Sequence, residues 1–208
     1  MVSERRRDFI KLAGSAAIAA ATFSATSALA NIPARPPGLL GLPPGETGAG
    51  LASRLAAASA PVRRVAFHNL HTGEAVNAVY WEGGAYVPDA LSEVNHVLRD
   101  FRNGEVHPID PRLLDLLDAL ATRVDTSSPF HVISGYRSPQ TNAMLRRRSS
   151  GVAHDSLHMK GLAIDIRLAD VDLARLHQAA LSLGGGGVGY YPASDFVHVD
   201  VGRVRRWG

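Results

Sequence analysis

Polar side chains interrupt two apolar stretches in the C-terminal half of this chain of 208 residues. Asp165 stands in the apolar run 162–166, and His198 and Asp200 alternate with valines in the run 196–201. Both runs have the composition of strands, in which residues two apart share a face. We expect the polar groups on the core face of a sheet, where an unpaired carboxylate is costly to bury. The chain must therefore give these groups partners, and one divalent cation would satisfy them together.

His158 supplies a third candidate ligand for such a cation. It lies just before Gly161, where the backbone can turn sharply, and upstream of Asp165. Two imidazoles and one carboxylate, with water in the fourth position, are the ligand pattern of a catalytic zinc site. The sequence thus predicts one zinc ion (Zn2+) per chain, held by His158, Asp165 and His198. Bound zinc lowers the pKa of its water, and Asp195, three residues before His198, is the candidate general base.

The composition limits the other chemistry that is open to the chain. Because there is no cysteine, disulfides, thiolate-bound metals and a thiol nucleophile are excluded, and any metal site uses nitrogen and oxygen ligands. Hydrophobic residues make up 46% and charged residues 20%, which indicates a folded domain with a core rather than a disordered chain.

Residues 1–30 have the three regions of a secretory signal peptide. Arginines at 5–7 come first, an alanine-rich apolar run 12–23 follows, and small residues up to Ala30 close the segment. The paired arginines resemble a twin-arginine signal, which indicates an exported, periplasmic or cell-envelope protein. The apolar run is short for a spanning helix, so we expect no membrane anchor after cleavage. Cleavage lowers the formal charge from +3 to +1, which disfavours nucleic acid as a partner.

The remaining chain divides into a linker and one domain. Residues 31–61 are rich in proline and glycine and predict a flexible linker. Within the domain, residues 62–208, short apolar runs predict strands and runs of helical periodicity predict helices, one of them over 88–101. We expect an α+β fold: a small, mainly antiparallel sheet that carries the metal ligands, with helices packed on one side.

The segments around these residues resemble a known family. The pattern Ser-x-His-x-x-Gly-x-Ala-x-Asp over 156–165, followed by an acid three residues before a second histidine, is similar to the LAS metallopeptidases. This group includes lysostaphin-type endopeptidases, D-alanyl-D-alanine peptidases and the hedgehog zinc domain. The stretches 134–138 and 188–207, with the twin-arginine signal, resemble its YcbK-like branch of exported murein endopeptidases. The similarity spans roughly residues 62–207.

The resemblance implies the hedgehog-type fold, the three zinc ligands and the general base named above. It also implies that Arg137 binds substrate and stabilises the developing oxyanion, and we assign its neighbours Tyr136 and Ser138 to substrate binding. Ser156 would brace the ligand loop. Phe196 departs from the pattern of many relatives, which have a histidine there, so any role of that histidine is absent or supplied elsewhere.

The favoured function is a zinc-dependent murein endopeptidase that hydrolyses the peptide cross-links of peptidoglycan stem peptides. Two alternatives stay open: a D,D-carboxypeptidase or dipeptidase acting on free D-alanine ends, and a non-catalytic wall-binding module that keeps zinc for structure. The carboxylate of Asp195 favours an enzyme, because a structural site needs no base. The role of Asp200 also stays open, since its carboxylate could orient His198 or pair with an arginine.

Overall fold

The structure is a computed structural model that describes residues 61–149 and 151–208. The predicted signal peptide, 1–30, lies outside the described residues, as does the predicted linker, 31–61, apart from Pro61. The described strands are β1 (Arg63–Asn69), β2 (Ala75–Glu82), β3 (Ala85–Tyr86), β4 (Phe130–Ser134), β5 (Ala163–Arg167), β6 (Gly187–Tyr191), β7 (Phe196–Asp200) and β8 (Arg205–Trp207). The described helices are α1 (Pro88–Val97), α2 (Pro111–Val124), α3 (Pro139–Arg148) and α4 (Leu173–Leu183).

All these strands form one 8-stranded sheet in the order β3-β2-β1-β4-β5-β7-β6-β8. Neighbouring strands are antiparallel except for β1 beside β4 and β6 beside β8, which are parallel. Parallel neighbours need a crossover connection, and the chain between β1 and β4 includes α1 and α2. The predicted α+β class is confirmed, while the sheet is larger than predicted and less uniformly antiparallel.

The hydrophobic core joins one face of the sheet to the helices. From the sheet it takes the buried residues Val65, Phe67, Phe130, Val132, Ile164, Ile166, Val197 and Val199. Helix α2 contributes Leu113, Leu117 and Leu120, whose spacing places them on one side of the helix. This helix begins where the sequence indicates, with Pro111 at its first position and the Asp110 side chain accepting from the backbone N–H of Arg112 at 2.9 Å.

The candidate ligands lie on the other face of the sheet. Asp165 alternates with the core residues Ile164 and Ile166, and His198 lies between Val197 and Val199 in the same way, so both project from the face opposite the core. We call this the ligand face of the sheet. The prediction of core-face positions is therefore wrong. Both faces of β5 and β7 are buried, and an apolar run does not tell which buried face meets the helices.

Two further details differ from the sequence prediction. The helix predicted over 88–101 ends at Val97, because the backbone groups beyond it bond elsewhere: the Leu98 carbonyl accepts from the N–H of Tyr136 at 2.8 Å, and the N–H of Asp100 donates to the Glu105 carbonyl at 3.0 Å. The short edge strands β3 and β8 are not predicted from the sequence. Among residues 61–149 and 151–208, no helix has the length and apolar character needed to cross a bilayer.

Candidate metal centre and its cleft

The three candidate ligands come together on the ligand face of the sheet. One ligand atom from each of His158, Asp165 and His198 lies within 4.8 Å of the other two. Strands β5 and β7 pair with Asp165 directly opposite His198, and His158 comes from the 3-10 turn Leu157–Lys160 just before β5. All three side chains are buried. We call these residues the ligand cluster.

A glycine lets the turn that carries His158 approach the rest of the fold. Gly161 ends this turn with a φ of +65°, and a Cβ there would overlap the carbonyl oxygen of Pro108. The backbone N–H of Asp110 donates to the Gly161 carbonyl at 2.9 Å, and the N–H of Arg137 donates to the His158 carbonyl at 3.2 Å. These contacts fix the turn between the start of α2 and the loop before α3.

Hydrogen bonds on the far side of each imidazole decide which ring nitrogen faces the cluster. Nδ1 of His158 lies 2.8 Å from the carbonyl oxygen of Gly135, which only accepts, so Nδ1 carries the proton. Both nitrogens of His198 lie near a carboxylate, Nε2 at 3.0 Å from Asp200 and Nδ1 at 2.9 Å from Asp165, and a cation bound at Nδ1 leaves the proton on Nε2. Nε2 of neutral His158 is therefore unprotonated, and Nδ1 of His198 is unprotonated in the tautomer that donates to Asp200.

These two nitrogens face each other and a carboxylate. They are 3.2 Å apart, and Oδ1 of Asp165 lies 3.3 Å from Nε2 of His158 and 2.9 Å from Nδ1 of His198. In the tautomer that donates to Asp200, three acceptors face one another with no proton between them, and a shared cation removes their repulsion. Two imidazoles whose outer nitrogens are hydrogen-bonded, together with one carboxylate, form a donor set that fits zinc.

The pKa shifts of these groups also indicate a place for positive charge. Burial alone would raise the pKa of Asp165, but the imidazoles of His158 and His198 bring it well below its ordinary value. Burial alone would lower the pKa of His198, but its hydrogen bonds to Asp165 and Asp200 raise it. The carboxylates of Asp165 and Asp200 thus stabilise a cation at this point of the sheet.

Asp200 has both of the roles that the sequence leaves open. It is completely buried, and it accepts from Nε2 of His198 and from Nη1 and Nη2 of Arg205 at 3.0 and 2.7 Å. The backbone N–H groups of Gly187 and Gly202 donate to it at 3.0 and 2.9 Å. Burial would raise the pKa of Asp200, but these hydrogen bonds bring it well below its ordinary value. Asp200 therefore orients His198 while Arg205 balances its charge.

Arg137 lies next to the ligand cluster and is loosely held. Its Nη2 is 3.6 Å from Oδ2 of Asp165 and 3.4 Å from Oγ of Ser134, and its Nη1 is 3.4 Å from Oδ1 of Asn142. Its Nε is buried and has no hydrogen-bond partner among the described residues. Burial lowers the pKa of Arg137, while the charge of Asp165 opposes that effect. Such a guanidinium can still donate to an oxygen atom of a ligand.

The ligand cluster lines a cleft of about 500 Å³. Three aromatic residues form part of its wall. The Trp207 ring lies 5.1 Å from the His198 ring, and the indole N–H of Trp207 donates to the hydroxyl of Tyr191 at 2.8 Å. Tyr191 in turn stacks on Phe196 with ring centroids 4.5 Å apart. We call Tyr191, Phe196 and Trp207 the aromatic wall.

Asp195 lies beside the cleft but outside the ligand cluster. It stands between the cleft residues Ser194 and Phe196 with a φ of +54°, and its side chain is 61% exposed. Its carboxylate is ion-paired with Arg167, which follows the ligand Asp165 on β5. The structure does not bring the predicted base to the three ligands, and its role stays a prediction.

Tyr136 and Ser138 do not line the cleft. The Tyr136 hydroxyl donates to Glu105 at 2.7 Å, and burial together with this hydrogen bond raises the pKa of Tyr136 to about 12. The Oγ of Ser138 accepts from the backbone N–H of Thr141 at 3.2 Å and caps α3. Both side chains are buried, so they anchor the loop that carries Arg137, and this placement argues against the substrate contact expected from the sequence.

Three other residues near the ligands complete the comparison with the sequence. Ser156, expected to brace the ligand loop, is buried just before the 3-10 turn and its side chain makes no capping hydrogen bond there, so its role stays a prediction. Arg205 and Trp207 on β8 line the cleft and are not predicted from the sequence. The sequence signal for strand β8 is the alternation of Arg205 and Trp207, on one face, with the exposed Arg206 between them. Three residues are too few to predict a strand from such a pattern.

The fold and the site together define a class of protein. A His2Asp set in a cleft leaves one position of a tetrahedral zinc site for water, and a mostly buried arginine stands beside the carboxylate ligand. An α+β domain with this arrangement has the donor set and the cleft of a metallopeptidase.

The comparison with known proteins is more specific. The sequence profile of the peptidase M15 family described as Peptidoglycan L,D-endopeptidase MepK matches residues 57–207, and the chain belongs to this family. Peptidoglycan L,D-endopeptidase MepK of Escherichia coli strain K12 is 46% identical over 145 residues, which are 70% of this chain and 80% of the relative. Probable peptidoglycan L,D-endopeptidase MepK of Haemophilus influenzae is 43% identical over 157 residues, 74% and 84% of the two chains. The predicted YcbK-like branch and the predicted peptidoglycan metallopeptidase are confirmed.

Proposed function

We propose that this chain is a zinc-dependent murein endopeptidase that hydrolyses L,D peptide bonds in the cross-links of peptidoglycan. The observation that carries this proposal is the convergence of three ligand atoms, on His158, Asp165 and His198, in a cleft. The names of the relatives support the L,D bond, and they favour an endopeptidase over the carboxypeptidase and the wall-binding module.

The proposed location follows from the substrate. A protein that acts on peptidoglycan works in the cell envelope, and we propose that residues 1–30 export the chain to the periplasm by the twin-arginine route. In this proposal residues 31–61 are a linker and residues 62–208 are the catalytic domain.

The first task of the domain is to hold and orient the metal. His158, Asp165 and His198 would bind one zinc ion, which when bound acidifies a water molecule and polarises a carbonyl group. The carbonyl of Gly135 and the carboxylate of Asp200 keep the two imidazoles in the required tautomers. These partners also prevent the rings from rotating out of position.

Arg137 would bind the carbonyl oxygen of the scissile bond. Its guanidinium is mostly buried beside Asp165, and its Nε has no hydrogen-bond partner among the described residues. Charge that develops on the carbonyl oxygen would therefore meet a guanidinium donor with little competition from water. Since Tyr136 and Ser138 anchor the same loop, the backbone of Arg137 is held in place before substrate binds, and its loosely held guanidinium can adjust to the carbonyl oxygen.

Asp195 would take the proton from the attacking water and return it to the leaving amine. In the structure its carboxylate is paired with Arg167. Exposed ion pairs contribute roughly 0–1 kcal/mol to stability, so this ion pair is only a small barrier to rotation of the carboxylate towards the cleft. The position of Asp195 between Ser194 and Phe196, which both line the cleft, supports such a movement.

The proposal is tested with zinc-loaded protein that begins after residue 30 and a purified muropeptide dimer joined by one L,D cross-link. Asp195→Asn keeps the size of the side chain and removes the base, and we expect a loss of ~10²–10⁴-fold in kcat with unchanged zinc content. Asp170→Asn is the matched control, since Asp170 is an exposed acid away from the cleft that bonds to Thr126. Parental kcat in Asp195→Asn would refute the base, and a parent that leaves the dimer intact would refute the function.

A further inference from the structure

The last strand of the chain brings two side chains to the cleft over a pair of glycines. Strand β8 pairs in parallel with β6, so that Arg205 stands beside Gly187 and Trp207 beside Gly189. A Cβ on Gly189 would lie 2.6 Å from the Trp207 ring, and a Cβ on Gly187 would overlap the guanidinium of Arg205. Both side chains therefore occupy the space above β6 that the glycines leave, and both line the cleft.

The guanidinium of Arg205 is fixed and keeps unused donors. An arginine has five N–H donors, and the contacts of Arg205 use two on Nη1, to Asp200 and the carbonyl of Arg203, and one on Nη2, to Asp200. The Nε donor and the second Nη2 donor are left without a bonded partner among the described residues. Because the side chain is 32% exposed, a ligand in the cleft can reach this group.

Arg205 also lies at one end of an apolar surface. Its guanidinium lies 4.9 Å from the centre of the Trp207 ring, and Trp207 continues into the aromatic wall through its hydrogen bond to Tyr191. A group with a carbon skeleton and a terminal carboxylate matches this surface, since the rings pack against the carbons and the guanidinium binds the charge.

The two cleft arginines lie on opposite sides of the ligand cluster. Arg137 follows β4 and approaches Asp165. Arg205 lies on β8 and contacts Asp200, which is hydrogen-bonded to His198. In the sheet, β5 and β7, with the ligands Asp165 and His198, lie between these two strands. A substrate that spans the cluster thus meets one guanidinium on each side of the scissile bond.

We propose that Arg205 and Trp207 form a carboxylate subsite for the D residue that supplies the amine of the scissile bond. The inference rests on the proposed L,D-endopeptidase activity. In an L,D cross-link the amine of a D centre is acylated, and the carboxylate of that centre is attached to the same carbon as the released nitrogen. Its negative charge therefore enters the cleft next to the ligand cluster, where the unused donors of Arg205 bind it.

The experiment compares two muropeptide dimers that differ in one group. One has the free carboxylate at the D centre of the cross-link, and the other has a primary carboxamide there. We expect the parent to have a KM about tenfold lower for the carboxylate, the size of one charge-assisted hydrogen bond at a partly exposed site. Arg205→Gln should remove this preference, and Arg205→Lys should keep part of it. Arg206→Gln, whose charge is exposed on the neighbouring residue, is the matched control and should keep all of it.

Zinc content and equilibrium binding separate the possible failures. Because Arg205 also contacts Asp200, zinc is measured in every variant, and the carboxylate-to-carboxamide ratio is compared at full loading. Calorimetric binding of the carboxylate product and its amide to zinc-loaded protein measures the same preference without turnover. Equal preference in parent and Arg205→Gln, by KM or by binding, overturns the subsite. A parent that binds the carboxylate product selectively but cleaves neither dimer overturns the proposed function and leaves the subsite standing.

Discussion

Replacement of Asp200 by asparagine is expected to weaken zinc binding although Asp200 does not touch the metal site. One oxygen of Asp200, Oδ1, accepts from the backbone of Gly187 and Gly202 and from Nη1 of Arg205. The other, Oδ2, accepts from Nε2 of His198 and Nη2 of Arg205. Asparagine has one acceptor oxygen, and the larger number of donors draws it to the Oδ1 position. Its NH2 group then faces the N–H of His198.

Two donors in contact force His198 into its other tautomer. Nε2 then accepts from the asparagine, and the proton moves to Nδ1, where the Asp165 carboxylate lies 2.9 Å away and accepts it. Zinc must displace that proton before it can bind. Substitutions of this kind typically weaken metal affinity 10–100-fold, which corresponds to about 1.4–2.7 kcal/mol.

The assay is a competition titration of zinc between the protein and a chelator of known affinity. Histidine ¹⁵N shifts of the metal-free proteins report the tautomer of His198 directly. Asp89→Asn, a change in an exposed acid of the first turn of α1, is the control and should bind zinc like the parent. If Asp200→Asn binds zinc as tightly as the parent and keeps the proton of His198 on Nε2, the reasoning about the tautomer is refuted.

Three other predictions follow from the structure and sequence. Gly161→Ala should destabilise the fold by about 1–3 kcal/mol in urea titrations and reduce zinc content, because φ is positive and a Cβ overlaps Pro108; parental stability contradicts this. The lowered pKa of Asp200 stabilises the metal-free protein above the unfolded pKa of about 3.9. This stability is lost as pH falls towards the folded pKa. In Asp200→Asn the free energy of unfolding should therefore fall less steeply at acidic pH. Arg6→Lys with Arg7→Lys should leave precursor in the cytoplasm, and normal export would exclude the twin-arginine route.

The ligand cluster could be predicted from the sequence because its signals are local. Asp165 and His198 are polar residues in strand-like runs, and Gly161 indicates the turn that follows His158. The face on which they lie could not be predicted in this way, since Ile164 and Ile166 are as buried as Asp165. Only the packing of the helices against one side of the sheet decides between the two faces.

The cleft around the cluster depends on contacts between distant parts of the chain. Tyr136 and Ser138 are neighbours of Arg137 in sequence, but their side chains bond to Glu105 and to the first turn of α3. The wall from β8 depends on its pairing with β6, which a run of three residues does not encode. These positions follow from tertiary pairing, which the local sequence pattern does not contain.

The most direct test of the proposed activity combines zinc analysis with digestion of one defined substrate. The parent should contain one zinc per chain and should split a dimer with a single L,D cross-link between the L carbonyl and the D amine, as read by mass spectrometry of the products. The variant with both His158→Ala and His198→Ala should contain no zinc and leave the dimer intact. Full zinc content and parental cleavage in that variant would contradict the assigned metal centre, and a parent that cuts D,D but not L,D bonds would contradict the assigned activity.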